Sequence, residues 1–341
     1  MSILPYRTQQ RLKRLAVVAL IALVIGVIIW GLWILWLQRF VVYTRDAGAV
    51  LNFEAEAMPL DGQEALEPDD VMQVEIHYNE GEDMLNMETQ MGQMNGYYVD
   101  AQTLVADPGA VWEKIKTLPA GTAVMIDVKN IYGSFFYSSA VSTARSSGID
   151  SKEMDDLIKM INTSGKYAIA RLPALRDKEY GLNHDEDGVF HSSRGYLWMD
   201  DVGCYWLNPS REGTITYLTQ ITTELKNLGF DEVVYTDFCF PPTDNIYVDG
   251  DKAELLKTAA NTLVTTCATD SFAVSFVGEA DFPLPEGRCR LYVENAEASQ
   301  LSQIAQDSGI AAPDINLVFL TQVHDTRFDT YSVMRPLSAA H

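Results

Sequence analysis

The sequence predicts a (β/α)8 TIM-like barrel, irregular in its second half and preceded by one transmembrane helix. Three observations support this fold class. A charge-free apolar run lies near the N-terminus, short apolar segments recur after residue 95, and amphipathic helical patterns separate most of these segments. Strands that are apolar on both faces are typical of buried parallel sheets, and eight of them over about 250 residues match a closed barrel. A doubly wound open sheet is the alternative arrangement of the same elements.

The first element is the apolar run of residues 15–37, which contains no charged side chain. As a helix it reaches about 34 Å, enough for a hydrocarbon core of about 30 Å. Basic residues precede it, and positive charge favours the cytoplasmic side. A cleaved signal peptide is the alternative, but its apolar region is shorter and ends in a small-residue cleavage site. We therefore expect a single-pass cell-membrane protein with residues 1–14 in the cytoplasm and the C-terminal domain outside it.

Residues 38–91 are acidic, and we expect them to form a partly ordered spacer. No basic residue lies between Arg45 and Lys114. Acidic stretches repel themselves and extend, whereas the alternating pattern of residues 71–76 predicts a short strand.

The charge balance beyond the apolar run excludes some partners. Four of the 25 basic residues precede that run and none of the 47 acidic residues does, so the rest of the chain carries a formal charge of −26. Such a surface repels nucleic acid and anionic lipid, and it also keeps an exported domain soluble. We therefore expect no nucleic-acid partner. The four cysteines show no CxxC spacing, and free thiols and disulfides both stay open.

The barrel domain is predicted over residues 92–341. Its strands are rich in Val, Ile, Tyr and Phe and are predicted at 96–101, 123–129, 167–172, 232–238, 272–277, 290–294, 316–321 and 331–335. Asp107-Pro108, Ser151 and Ser210 are typical helix starts, and Gly229 and Gly309 are typical helix ends. Two connections, 278–289 and 322–330, lack a clear helical pattern, which predicts the irregular second half.

Polar residues at the carboxyl ends of the strands are candidates for the site, because the active site of a (β/α)8 barrel lies there. The predicted strands end with Asp127, Lys129, Arg171, Asp237 and Glu294. Several carboxylates at one mouth suit glycosidic cleavage, in which one acid protonates the leaving oxygen and another acts as nucleophile or base. Acidic residues at strand ends are also common in any acidic protein, so a purely structural role is the alternative.

The longest predicted loop, residues 176–209, follows the third strand and is rich in aromatic residues, Trp206 among them. Aromatic rings on such a loop stack on sugar faces, or else residues 198–206 form a small hairpin with its own packing. The histidines show no HExxH or HxH spacing, and GxSxG, GxGxxG and Walker patterns do not occur. We therefore expect no metal and no cofactor.

Five segments of the chain together resemble a family of bacterial glycoside-hydrolase-like barrel proteins, over residues 95–242. The segments are Gly96-Tyr97-Tyr98-Val99, Val124-Met125-Ile126-Asp127-Val128-Lys129, Ala168-Ile169-Ala170-Arg171-Leu172, Tyr205-Trp206-Leu207-Asn208-Pro209, and Leu228-Gly229-Phe230-Asp231-Glu232-Val233 closing with Phe240-Pro241. The resemblance implies a barrel fold, export with frequent membrane anchoring, and action on carbohydrate.

The chain departs from the family pattern at the residues that carry the chemistry. After the Ile-Asp-Val-Lys segment the family has two acids, where this chain has Asn130 and Ile131. The family's candidate catalytic Asp on the fourth strand aligns with Thr236, and its Arg aligns with Cys239. Asp237 is one position further along, and one step along a strand turns a side chain to the opposite face. Only a local shift would bring Asp237 into the mouth.

The residues and the resemblance together give the expected function. Asp127 and Asp237 are the expected catalytic acids. The expected substrate-binding residues are Lys129, Arg171, Trp206, Asn208 and Glu294. The expected activity is cleavage or binding of a cell-envelope carbohydrate. A catalytically degenerate barrel that binds a glycan or a protein is the first alternative, and an anchored acidic scaffold is the second.

Overall fold

The computed structural model describes residues 41–44, 48–51, 91–141, 149–193 and 195–339. The predicted transmembrane segment 15–37 and most of the spacer lie outside the described residues. Within the spacer, Val41–Thr44 and Gly48–Leu51 pair as an antiparallel hairpin. Among the helices that the structure describes, none is both long and apolar enough to cross a membrane.

Parallel strands close into an eight-stranded barrel, as predicted. They are β1 (Asn95–Val99), β2 (Ala123–Asp127), β3 (Tyr167–Pro173), β4 (Glu232–Thr236), β5 (Ala273–Val277), β6 (Leu291–Glu294), β7 (Leu317–Leu320) and β8 (Ser332–Pro336). Each predicted strand overlaps one of these. β8 pairs with β1, with Val333 opposite Asn95, and this pairing closes the sheet on itself. The open doubly wound sheet is therefore wrong.

Helices surround the barrel and connect its strands. They are α1 (Ala101–Ala106), α2 (Pro108–Thr117), α3 (Ser151–Thr163), α4 (Lys178–Asn183), α5 (Glu212–Asn227), α6 (Lys252–Cys267), α7 (Leu301–Ser308) and α8 (Pro313–Asn316). The Asp107 carboxylate accepts a hydrogen bond from the Ala110 amide at the start of α2, as expected of a helix cap. Gly309 ends α7 in the left-handed conformation that favours glycine.

Two predicted helix starts are displaced. α3 is capped by Asp150, whose carboxylate accepts from the Lys152 amide, so Ser151 is the first helical residue and not the cap. α5 begins two residues after Ser210. The reason is that the amide and hydroxyl of Ser210 both donate to Oδ1 of Asn208, which draws Ser210 into the preceding turn.

The second half of the barrel is irregular, as predicted. Residues 278–290, between β5 and β6, contain no α-helix, and a single 3₁₀ segment, Thr326–Thr330, connects β7 to β8. A short irregular connection still returns the chain to the amino end of the next strand. The barrel closes without a complete outer ring of helices.

Apolar side chains form two layers, one inside the barrel and one between the sheet and the helices. Met125, Ile169, Val234 and Met334 are buried in the inner layer. A larger cluster lies between the strands and α2 to α6, with Ile115, Ile161 and Leu218 among its fully buried members. This division follows from strand alternation, because successive side chains point to opposite faces.

A buried polar network closes the amino-terminal end of the barrel. The Glu232 carboxylate accepts from Nη1 of Arg290 at 2.6 Å and from the hydroxyls of Tyr167 and Tyr292 at 3.0 Å each. Nη2 of Arg290 donates to the carbonyl oxygen of Gly92 at 3.1 Å, so the network also holds the chain where it enters the barrel. This network therefore stabilises the amino-terminal end of the barrel, which we call the floor. The carboxyl-terminal end of the strands, which we call the mouth, lies opposite.

Candidate functional site

An arginine held between two carboxylates lies at the mouth of the barrel. Nη1 of Arg171 is 3.0 Å from Oδ1 of Asp127, and Nη2 is 2.7 Å from Oε1 of Glu294. These residues come from β3, β2 and β6, so this Asp127–Arg171–Glu294 triad spans the mouth. Burial alone would lower the pKa of Arg171, but the charges of Asp127 and Glu294 outweigh it and raise that pKa. The guanidinium is permanently charged.

The two carboxylates of the triad differ in their hydrogen-bond partners and in their exposure. Asp127 also accepts a hydrogen bond at Oδ2 from the Ala101 amide at 2.9 Å, so both of its oxygens are engaged. Burial raises the pKa of Asp127, and the Arg171 charge only partly offsets this. Glu294 contacts Arg171 through Oε1, and 35% of its side chain is exposed. Glu294 is the more accessible of the two to a ligand.

Asp237 joins the mouth through a local change of backbone conformation. Strand β4 ends at Thr236, and Asp237 follows with a φ of +50°, in the left-handed region where Asp is among the few tolerated residues. The side chain therefore escapes the strand alternation that would turn it away. Among the non-glycine residues that the structure describes, Asp237, Asn295 and Ala312 have positive φ, and the first two directly follow β4 and β6. Backbone strain of this kind is typical of functional sites.

The surroundings of Asp237 favour its protonated form. Burial raises the pKa of Asp237, the Thr236 hydroxyl and the Arg176 and Arg171 charges lower it, and the Glu294 charge raises it. The net result is a raised pKa. Oδ2 accepts from the Thr236 hydroxyl at 3.1 Å, and Oδ1 lies 3.8 Å from Nη1 of Arg176. Asp237 is thus a carboxyl group suited to donate a proton near a second carboxylate.

Arg176 connects Asp237 to the long loop after β3. Nε of Arg176 donates to Oδ2 of Asp200 at 2.7 Å, and the indole Nε1 of Trp206 donates to the same oxygen at 3.1 Å. Oδ1 of Asp200 accepts from the amides of Val202 and Cys204. Asp200 therefore ties a tight turn of the loop to the arginine beside Asp237. Residue types alone carried no signal for Arg176 and Asp200, because their pairing depends on the folded loop.

A cavity of about 820 Å³ lies over one side of the mouth. Arg171 and Glu294 of the triad line it, together with Tyr98, Asp100, Asp325 and Arg327. A cavity of this size accommodates a small-molecule ligand. Two residues of the triad, Arg171 and Glu294, therefore face the space that a ligand would occupy.

Three predicted substrate-binding residues are buried and have partners inside the protein. Lys129 is 2% exposed, and its ammonium nitrogen lies 2.7 Å from Oδ2 of Asp177 in a buried ion pair. Asn208 accepts from Ser210 in the turn before α5. Trp206 is 6% exposed, with the Arg176 guanidinium 5.5 Å from its ring centre. Lys129, Asn208 and Trp206 are therefore engaged inside the protein, and their contact with substrate stays a prediction.

The alternative interpretation of residues 198–206 is closer to the structure. Met199 and Tyr205 pair as an antiparallel bridge, and Asp200 accepts from the turn between them.

The four cysteines are free thiols, with Cys239 exposed and Cys204, Cys267 and Cys289 buried. Asn130, which stands where the resemblance implies an acid, accepts from the amides of Tyr132 and Ser134 and so shapes a turn.

Several solved structures match the chain at low sequence identity. A hypothetical protein from Ruminiclostridium thermocellum matches at 20% identity over 53% of this chain and 96% of its own, with a TM-score of 0.45. An inactive mutant of the exo-β-N-acetylglucosaminidase from Vibrio harveyi matches at 8% identity over 72% of this chain and 50% of its own, with a TM-score of 0.50. The α-galactosidase from Thermus thermophilus matches at 9% identity over 74% of this chain and 60% of its own, with a TM-score of 0.47.

No curated protein matches the sequence. The family model described as "Putative glycosyl hydrolase domain" matches residues 97–276, from β1 to the end of β5. The match includes Asp127, Arg171 and Asp237 and ends before Glu294. Because this match covers more than half of the 341 residues, the chain belongs to that glycosyl hydrolase domain family.

Proposed function

We propose that the protein hydrolyses a glycosidic bond at the mouth of its barrel. Asp237 is the proton donor to the leaving oxygen, and Glu294 is the second carboxylate, acting as nucleophile or base. The observation that carries this proposal is the pairing of a carboxyl of raised pKa with a partly exposed carboxylate held by Arg171. Glycoside hydrolysis needs two carboxyl groups of this kind in different protonation states.

The two roles follow from the two environments. A general acid must carry its proton when substrate binds, and burial favours the neutral form of Asp237. Glu294 lies 2.7 Å from Arg171 and is partly exposed, so the arginine holds a carboxylate that a substrate can still reach.

Asp127 has a different role in this proposal from the one expected of it. Its two oxygens are engaged by the Arg171 guanidinium and by the Ala101 amide, and its side chain is more buried than that of Glu294. We therefore assign Asp127 to the orientation of Arg171. Asp237 keeps its expected role as a catalytic acid, and Glu294 replaces Asp127 as its partner.

Activity on envelope glycans by the full chain tests the assignment. Asp237→Asn and Glu294→Gln each keep the shape of the side chain and remove the acid, and each is expected to lower kcat by about 10² to 10⁴. Asp201→Asn, an exposed acid on the same loop as Asp200, is the control. Activity that survives both substitutions would contradict the assigned acids.

Glycan binding without turnover is the second candidate function. The observation that favours it is the presence of Thr236, Asn130 and Ile131 at positions where the family has acids. A chain that binds an envelope glycan and releases no reducing sugar from it would support this alternative over hydrolysis.

We propose further that residues 15–37 anchor the protein in the cell membrane with the barrel outside the cytoplasm, where it meets cell-envelope carbohydrate. The charge-free run, the basic residues before it and the acidic domain after it support this arrangement. Extraction with alkaline carbonate and protease treatment of intact cells test it. Release of the chain by carbonate, or protection of the barrel in intact cells, would contradict the anchor or its orientation.

A further inference from the structure

The arginines at the mouth are already neutralised by carboxylates of the protein. Arg171 lies between Asp127 and Glu294, as described above. Arg176 is held by Asp200, through Nε at 2.7 Å. The third, Arg327, donates from Nε to Oδ1 of Asp325 at 3.0 Å and from Nη2 to Oδ2 at 2.7 Å. Each guanidinium therefore has a fixed anionic partner before any ligand arrives.

Carboxylates also outnumber guanidinium groups at the mouth. Asp100 and Glu297 line the same cavity as Arg171, Glu294 and the Asp325–Arg327 pair. The cavity lining therefore carries an excess of negative charge. The part of the chain after the apolar run is also strongly negative overall.

An acidic sugar would meet two obstacles in this cavity. Its carboxylate, sulfate or phosphate would be repelled by the surplus acids, and each arginine lining the cavity already has its charge offset by a protein carboxylate. A hydroxyl-bearing neutral sugar meets neither obstacle. An amine-bearing sugar would be attracted to the carboxylate of Glu294, which is partly exposed in the cavity.

We propose that the mouth selects a glycan without acidic groups, made of neutral or amine-bearing sugar units, and discriminates against uronic, sulfated and phosphorylated ones. This inference rests on the proposed function for the location of the site, and adds to it the charge class of the substrate.

Binding of the labelled full chain in detergent to a set of oligosaccharides tests the charge class. Each oligosaccharide backbone is presented in a neutral, an amine-bearing and a uronic-acid form. At low salt we expect neutral and amine-bearing forms to bind and uronic forms to bind at least about tenfold more weakly, with amine binding declining as salt screens it. Tighter binding of the uronic form would overturn the charge class alone. Binding to no member would remove the proposed carbohydrate function together with this inference.

A substitution that frees one arginine tests the cause. Asp325→Asn removes the charge that neutralises Arg327, while its side-chain oxygen can still accept from the Arg327 amide, as Oδ1 of Asp325 does at 3.0 Å. We expect the uronic form to bind about tenfold more tightly to this variant at low salt, with the gain lost at high salt. Asp270→Asn removes the same charge from an exposed turn before β5, at the other end of the barrel, and is the control. An equal gain in both variants, or a gain in neither, would overturn the assignment.

Discussion

At the scale of single residues, the protonation state of Asp237 determines whether it can act as the general acid. The left-handed backbone at this position brings its carboxyl beside Arg176 and under the influence of Glu294. The sequence could predict that an acid stands near the end of β4. It could not predict the orientation, because the alternation rule assumes extended backbone up to and including Asp237. A single φ angle changes the face to which the residue belongs.

The pH dependence of activity follows from this environment. A proton donor of raised pKa keeps its proton to a higher pH than an ordinary Asp, so activity should fall with rising pH as Asp237 ionises. The Arg176 charge lowers the pKa of Asp237, after burial has raised it, so Arg176→Gln should move this alkaline limb to higher pH. The pH profile of kcat and carboxyl ¹³C NMR of Asp237 measure the shift. Lys257→Gln, on the outer helix α6, is the control. An unmoved limb in Arg176→Gln would mean that another group titrates.

The buried Lys129–Asp177 ion pair gives a second prediction for single residues. Lys129→Met leaves the Asp177 carboxylate buried with the Tyr217 hydroxyl and the Tyr180 amide as its remaining partners. Loss of one partner of a buried ion pair typically costs about 3–5 kcal/mol. Urea unfolding should therefore show a free energy of unfolding lower by that amount. Lys152→Met, on the exposed face of α3, should change it by less than about 0.5 kcal/mol. A loss below about 1 kcal/mol for Lys129→Met would show that the pair is not structurally important.

At the scale of elements, one carboxylate holds the turn at residues 199–205 in the loop between β3 and α5. Asp200 accepts from Arg176, Trp206, Val202 and Cys204. The aromatic residues of this loop predicted a sugar-binding surface, but the polar residue between them determines how they pack. Sequence patterns predict strands and helices from periodicity, and a non-periodic loop offers no such signal. This is why the eight strands were predictable and the role of Trp206 was not.

Removal of that carboxylate should loosen the loop and leave the barrel folded. In Asp200→Ala the amides of Val202 and Cys204 lose their acceptor, so their hydrogen exchange should become at least about tenfold faster, an opening free energy lower by about 1.4 kcal/mol. Amides of β2 and β3 should exchange at unchanged rates. Asp201→Ala, the exposed neighbour, should leave the loop as it is. Equal effects of the two variants would contradict the assigned role of Asp200.

At the scale of the whole molecule, apolar layers pack inside and outside the closed sheet, and a charged network lies at its amino-terminal end. The apolar strand runs predicted parallel strands buried on both faces, and their number over about 250 residues favoured the closed sheet. The floor was not predictable, since Glu232 and Arg290 are 58 positions apart and meet only when the barrel closes. The same holds for the triad at the mouth, where Arg171 and Glu294 are 123 positions apart. Strand ends identify the edge on which residues lie, but not their partners.

Arg290→Met tests how much the floor contributes to stability. The substitution leaves the Glu232 carboxylate buried without its cation, which should lower the free energy of unfolding by about 3–5 kcal/mol. The double variant Arg290→Met with Glu232→Gln should recover part of this loss, because no uncompensated charge remains. Thermal and urea unfolding measure both. A double variant less stable than Arg290→Met would show that hydrogen bonds to the carboxylate matter more than the charge.

The floor also determines which end of the barrel is free for attachment. Arg290 holds the chain at Gly92 on the amino-terminal side, whereas the last described residues leave β8 on the side of the mouth. A bead, electrode or fluorescent fusion joined before residue 92 would therefore leave the cavity facing the medium. The C-terminal residues, in contrast, turn from the end of β8 onto α2, where the carbonyl oxygen of Ser338 accepts from Nζ of Lys114 at 3.5 Å, so the amino-terminal attachment is the one that lies opposite the mouth.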